Sequence, residues 1–220
     1  MTPAPTALFL DLDGPILECK TRHYACYEDL CRERGLHPLE LDEYWNLKRR
    51  RTPARQIFTA SGATTAQDEL QRDWIARVER PRYLALDCVH DGVTAIFSSW
   101  ANAGLRLFLV TLRRNPHGLQ EELKRLGLMR FFEHIAVCDP TLGAEGKARE
   151  AARIAPDLNF LRSAWIGDTE VDANAAAILG CAKLYLVTCG IRDEPYLRSL
   201  KAGEVVANLS AVRERLATGL

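Results

Sequence analysis

The segment Asp11-Leu12-Asp13-Gly14 places two carboxylates two residues apart, directly after the apolar run Ala7–Leu10. Alternation along a strand puts residues i and i+2 on one face, so both acids can point at one site. Two anions that close repel each other unless a cation lies between them or one carboxyl keeps a proton. Such a pair suits a division of labour, with one group ionised and nucleophilic and the other able to donate a proton. Gly14 permits a sharp turn and a close approach of backbone to ligand. Taken alone, the tetrapeptide is equally an ordinary Asp/Gly turn after a strand.

Three further signals share this placement. Thr111 closes the apolar run that begins at Leu105. Its hydroxyl, with the backbone N–H of Leu112, is suited to a phosphoryl oxygen, although a β-branched residue is at home in any strand. Lys147 follows Gly143–Gly146 at an expected helix start, where a cation is unfavourable unless an anionic ligand or carboxylates offset it. Asp168 and Asp172 stand four residues apart in Gly167-Asp168-Thr169-Glu170-Val171-Asp172. Like charges at that spacing on a helix cost about 0.2–0.5 kcal/mol, which a bound divalent cation would offset. Helix capping is the plain alternative for Asp168. Glu170 is out of phase with both aspartates and is expected to face solvent.

The elements that must position these groups alternate. Strands are expected at Ala7–Leu12, Leu105–Leu112, Ile135–Cys138, Ser163–Ile166 and Leu184–Val187, with helical patterns between them. Five strands alternating with helices indicate an α/β fold with a doubly wound parallel sheet. Ligands bind such sheets beyond the carboxyl ends of the strands, where all four signals fall. Between the first strand and Gly92 the pattern is wholly helical: Tyr24, Tyr27, Leu30 and Cys31, then Leu41, Trp45 and Ile57, then Leu70, Trp74 and Val78. Thr65 with Asp68 could form a capping box for the last of these helices. A crossover needs a dozen residues; this one takes roughly 80, enough for a domain. The expected organisation is a core of residues 1–16 and 91–220 with a helical cap of residues 17–90. Tyr24, Tyr27, Trp45 and Trp74 share helical spacing with aliphatic neighbours and read as cap core.

Composition narrows the function. The 220 residues carry 29 basic and 29 acidic side chains, and 47% are hydrophobic, which excludes long disorder. Zero net charge argues against a nucleic-acid or polybasic membrane binder. Seven cysteines without a Cys-x-x-Cys pair read as reduced thiols of a cytoplasmic protein. Met1–Thr6 carries no positive charge and the apolar run stops at Asp11, so neither a signal peptide nor a membrane span is expected. The run Lys48-Arg49-Arg50-Arg51 reads as a solvated helix end, or alternatively as a lip that attracts an anion.

In their order along the chain, Phe9-Leu10-Asp11-Leu12-Asp13-Gly14, Val110-Thr111, Gly146-Lys147 and Ile166-Gly167-Asp168-Thr169-Glu170-Val171-Asp172 resemble the four signature motifs of the haloacid dehalogenase-like hydrolase superfamily. The helical insertion resembles the small cap of its phosphoglycolate phosphatase-like branch, and Asp91-Gly92-Val93 resembles that branch's return into the core. The resemblance implies a Rossmann-like core and Mg2+-dependent hydrolysis of a small phosphate ester through an aspartyl-phosphate. It implies that Asp11 is the nucleophile, Asp13 the acid/base, and Thr111, Leu112 and Lys147 the phosphoryl-binding groups. It assigns the metal to Asp11, the backbone carbonyl of Asp13 and Asp168, with Asp172 as a further ligand or a group standing behind them. Pro15 and Ala148 depart from the residues the family often carries there. Asp13 separates the chain from dehalogenases and phosphonatases. His23 matches a histidine of β-phosphoglucomutase-like proteins, whereas Gly167, where those mutases tend to carry an acid, favours a phosphatase. A mutase and a non-catalytic phosphate-binding module remain the alternatives.

Overall fold

Near-continuous apolar runs become the strands of a parallel sheet because helices cover both of its faces. The computed structural model describes residues 4–217; the ends of the expected core, residues 1–3 and 218–220, lie outside the described residues. The elements run β1 Ala7–Leu10, β2 Leu17–Glu18, α1 Lys20–Glu33, α2 Leu41–Arg49, α3 Ala54–Ala60, α4 Gln67–Arg77, α5 Pro81–Leu84 and β3 Cys88–Val89. They continue with α6 Val93–Asn102, β4 Arg106–Leu112, α7 Pro116–Arg125, β5 His134–Cys138, α8 Gly143–Ile154, β6 Ser163–Gly167, α9 Glu170–Leu179, β7 Lys183–Val187, α10 Glu194–Ser199, β8 Glu204–Val206 and α11 Leu209–Ala217.

Six strands form one parallel sheet in the order β5-β4-β1-β6-β7-β8. The sixth, β8, is three residues long, too short for its sequence pattern to announce it. Leu10 pairs with both Leu109 and Ile166, so the carboxyl ends of β1, β4 and β6 lie side by side. Alternate residues supply two cores. Leu8, Leu10, Leu107 and Leu109 pack with Phe97, Leu119 and Val212 on one face. On the other, Phe9 stacks on Phe108 and Trp165, with ring centroids 5.1 and 5.7 Å apart. Full burial of such a side chain stabilises the fold by about 1.5–3 kcal/mol.

The helical segment leaves and re-enters through a small antiparallel ribbon in which Leu17 pairs with Val89 and Glu18 with Cys88. It has an apolar cluster of its own, including Tyr27, Leu30, Tyr44, Trp45, Phe58 and Leu70, against which Tyr24 and Trp74 pack. Tyr27 and Tyr44 stack with centroids 4.3 Å apart. Two helix starts differ from expectation. Ahead of α4, Ala66 sits in the left-handed region with no side-chain cap, so the Thr65–Asp68 box does not form. Helix α8 starts at Gly143, which places Lys147 in its second turn. Among the described residues no helix is long and apolar enough to cross a membrane.

Candidate active site

Asp11 follows β1 directly, and its N–H donates to the carbonyl of Ile166 on β6 (2.9 Å). That bond and the strand register bring Asp11, Thr111 of β4 and the start of the Asp168 loop to one sheet edge. Lys147 reaches the same place from α8. Its Nζ lies 2.9 Å from Asp11 Oδ1 and 2.7 Å from Asp172 Oδ1, and it is 1% exposed. One ammonium thus ties together acids from distant stretches of chain.

Asp172 is held from several sides. Its carboxylate accepts from Trp165 Nε1 (3.2 Å), from the N–H groups of Asp168 (3.3 Å) and Thr169 (3.2 Å), and from the Thr169 hydroxyl (2.7 Å). A reciprocal capping box at the start of α9 explains the bond from the Thr169 N–H, with Thr169 as N-cap and Asp172 at the third helical position. Asp168, fully buried, accepts from the N–H of Ile191 at Oδ2 and has no hydrogen-bond partner at Oδ1. Two glycines let the backbone close around it: a Cβ at Gly14 or Gly190 would fall on its carboxylate. At Gly14 the backbone, with φ +106°, is also one that L side chains rarely adopt.

Ligand atoms of Asp11, Asp168 and Asp172 lie within 4.8 Å of one another. Burial pushes the Asp11 carboxyl up to about 6 against the pull of Lys147. Burial, with Asp11 and Asp172 nearby, holds Asp168 well above the usual carboxylate range. At Asp172 burial also works upward, but Lys147 and its hydrogen bonds prevail and keep the group low. Three carboxylates share one lysine, and an oxygen of Asp168 is unpaired. That donor set fits a hard divalent cation, which takes oxygen ligands and compensates excess negative charge.

Asp13 takes a different course. The strand has ended at Leu10, and the Asp13 side chain joins two guanidiniums: Arg22 Nη2 is 2.8 Å from Oδ2 and Arg113 Nη2 is 2.7 Å from Oδ1. Burial raises the affinity of Asp13 for a proton, and Arg113 and Arg22 more than reverse that, holding its carboxyl below the usual range. Behind the arginines lie Asp87 and Glu122, both buried. Neither the arginines nor these acids stand in the motifs. Their signal is phase: Arg22 falls on the buried stripe of α1 with Cys26 and Leu30, and Glu122 on that of α7 with Leu119 and Leu123.

Thr111 is buried on β4 and Leu112 half-buried at its end. His23 lies inside the helical segment, edge-on to Trp45 and Trp74, with Nε2 accepting from Arg22 at 3.4 Å. Burial and the cations Lys48 and Arg22 push it well below its ordinary value, so it is neutral.

The basic run is solvated only in part: Arg50 and Arg51 are exposed, while Lys48 and Arg49 are half-buried. Arg49 donates to the carbonyls of Thr188 and Arg192, and Arg51 Nε lies 3.0 Å from Glu170 Oε1. Arg192 forks onto Glu170 at 3.0 and 3.1 Å. Glu170, half-buried, therefore faces this contact between α2 and the sheet edge rather than solvent.

The sequence profile of the family described as haloacid dehalogenase-like hydrolase matches residues 8–185. No curated protein matches the chain. Among solved structures, a predicted phosphatase from Clostridium acetobutylicum superposes with a TM-score of 0.73 at 17% identity, covering 98% of this chain and 100% of that one. A predicted phosphoglycolate phosphatase from Haemophilus somnus 129PT gives 0.73 at 13% identity, with 96% and 97% covered. Protein tyrosine kinase A of Mycobacterium tuberculosis gives 0.76 at 21% identity, with 97% and 98% covered. These likenesses are of fold.

Proposed function

Because the chain belongs to the haloacid dehalogenase-like hydrolase family, we propose that it is a cytoplasmic, Mg2+-dependent phosphatase for a small phosphorylated metabolite, working through an aspartyl-phosphate. The observation that carries this reading is Lys147 bridging Asp11 and Asp172 beside the unpaired oxygen of Asp168. A site for binding alone needs no such buried nucleophile.

Asp11, the carbonyl of Asp13 and Asp168 would hold the ion, with Asp172 orienting Lys147 and standing behind them. When bound, the ion supplies positive charge against the phosphoryl oxygens and lets the acids stand together. The chain's own groups do the rest. Thr111, the N–H of Leu112 and Lys147 hold the phosphoryl oxygens. A carboxylate oxygen of Asp11 attacks phosphorus; the bond to the leaving oxygen breaks, and that oxygen takes a proton from Asp13. Asp13 is ionised in the free protein between Arg22 and Arg113 and is protonated once the anionic phosphate ester beside it raises its affinity for a proton. Water then attacks the aspartyl-phosphate and gives a proton to Asp13, so phosphate leaves and Asp11 is restored. Residues 17–90 act as the cap that shields these steps from bulk water.

A phosphate-release assay over metabolite phosphates, with and without Mg2+, tests this. Asp11→Asn is expected to lower kcat by roughly 10^4-fold or more. Equal turnover by Asp11→Asn and the parent protein would remove Asp11 from the mechanism.

A further inference from the structure

Asp13 is gripped by guanidiniums from two separate parts of the chain, Arg22 on α1 in the helical segment and Arg113 just past β4. Each arginine is anchored on its far side. Arg22 Nε lies 3.2 Å from Asp87 Oδ2, and Arg113 Nη2 lies 3.1 Å from Glu122 Oε2 and 3.8 Å from Asp87 Oδ2. All four supporting residues are 1–3% exposed. Apolar side chains of similar volume stabilise a core as well as buried ion pairs do, or better, so stability is a poor reason for this arrangement. What apolar side chains cannot do is aim a carboxylate. Two guanidiniums can, one on each oxygen: Arg22 spans Asp13 and Asp87 with Nη2 and Nε, and Arg113 reaches Asp13 and Glu122 with Nη2.

We propose that Arg22 and Arg113 are positioning residues that aim the Asp13 carboxyl, with Asp87 and Glu122 as their anchors, and that Arg22 makes this aim depend on how the helical segment seats on the core. The inference rests on the reading of Asp13 as the proton-transfer group of a phosphatase. In the first half-reaction Asp13 must meet the leaving oxygen, and in the second the attacking water. Misplacement by about 1 Å can cost roughly 10^2-fold in rate.

Arg22→Lys keeps the cation and loses the two-nitrogen span from Asp13 to Asp87, and Arg113→Lys keeps the cation and shortens its reach to Asp13. Both are assayed with Mg2+ against p-nitrophenyl phosphate and an alkyl phosphate, with intact-mass measurement of acid-quenched protein. We expect kcat to fall roughly 10- to 100-fold with KM unchanged or lowered. Phosphorylated protein should accumulate, because removal of phosphate from Asp11 needs the base. kcat/KM should fall further for the alkyl phosphate than for the aryl, because its leaving oxygen needs the proton more. Glu122→Gln, which loosens one anchor and keeps both arginines, should shift the same readouts in the same direction by less, and it serves if a lysine variant does not fold. A fall in kcat that merely tracks lost folded protein, with no accumulation and an unchanged aryl-to-alkyl ratio, would overturn the proposal and leave the arginines a structural role. If Asp11→Asn matches the parent protein and neither becomes phosphorylated, the phosphatase reading fails and this proposal with it.

Discussion

Asp11 and Asp13 are two residues apart and end in opposite surroundings. Around Asp11, three buried acids meet one cation, Lys147, and an oxygen of Asp168 is left without a partner. Around Asp13, three acids meet two cations, Arg22 and Arg113. Burial, together with Asp13 and Glu122, pushes the Asp87 carboxyl up to about 9 despite Arg22. Near neutral pH Asp87 therefore keeps its proton, and two carboxylates face two guanidiniums. The lysine corner is built short of positive charge and calls for a ligand. The arginine corner is balanced within the chain, and its consequence is orientation.

Removing the single cation of the first corner should break the most. Lys147→Met leaves Asp11 and Asp172 buried without their partner, a change that typically costs about 3–5 kcal/mol. Thermal unfolding should show a smaller loss in Mg2+ than in EDTA, because the added ion replaces missing charge. An equal loss in both would mean that this corner is not short of positive charge.

Metal addition sharpens the contrast. At about 100 times its dissociation constant, a ligand of the folded state stabilises it by about 2.7 kcal/mol. Mg2+ should therefore raise the unfolding temperature of the parent protein and fail to do so for Asp168→Asn. Asp13→Asn should keep most of the rise, because its side chain is committed to the arginines and the proposed metal ligand at that position is the backbone carbonyl, which the substitution keeps. Loss of the rise in both variants would merge the two corners into one.

The proton on Asp87 gives the second corner its own test. A carboxyl whose affinity for protons is higher folded than unfolded binds more protons in the native state. Its contribution is complete below the ordinary carboxylate range and is lost as pH rises through about 9. Urea unfolding between pH 6 and 10 should show stability falling with pH in the parent protein and less steeply in Asp87→Asn. At pH 7 that variant should cost only about 1 kcal/mol, since it replaces a neutral group by a neutral group. Parallel slopes would place the proton elsewhere.

The two corners also differ in how far the sequence discloses them. Asp11, Asp168 and Asp172 each follow a strand run or stand in the first turn of a helix, so periodicity locates them; Lys147, in the second turn of α8, is found by its place after Gly146, and the order of all four along the chain identifies the family. The sheet was legible for the same reason, except β8, whose three residues hold no pattern. Arg22, Asp87, Arg113 and Glu122 belong to elements that converge only in three dimensions, and no local spacing links them. What the sequence did contain was a charge in phase with an apolar stripe at Arg22 and Glu122. Strand alternation, which would send Asp11 and Asp13 the same way, fails because β1 ends at Leu10. The contacts that the basic run makes went unread because its partners, the Thr188–Asp193 segment and Glu170, lie more than a hundred residues away.

That run supplies the smallest and most discriminating test. Arg51 is 59% exposed in its pair with Glu170, so Arg51→Ala should cost about 0.2–1 kcal/mol. The difference should largely vanish near 1 M salt, where the screening length is about 3 Å. Arg49 sits on the segment whose Ile191 N–H holds Asp168, whereas Arg51 reaches Glu170 and the Tyr196 ring and, among the described residues, makes no bond to that segment's carbonyls. The stabilisation by Mg2+ should accordingly be the same in Arg51→Ala as in the parent protein. If it shrinks, the lysine corner also depends on how the helical segment is seated, and dependence on that seating ceases to distinguish the arginine corner.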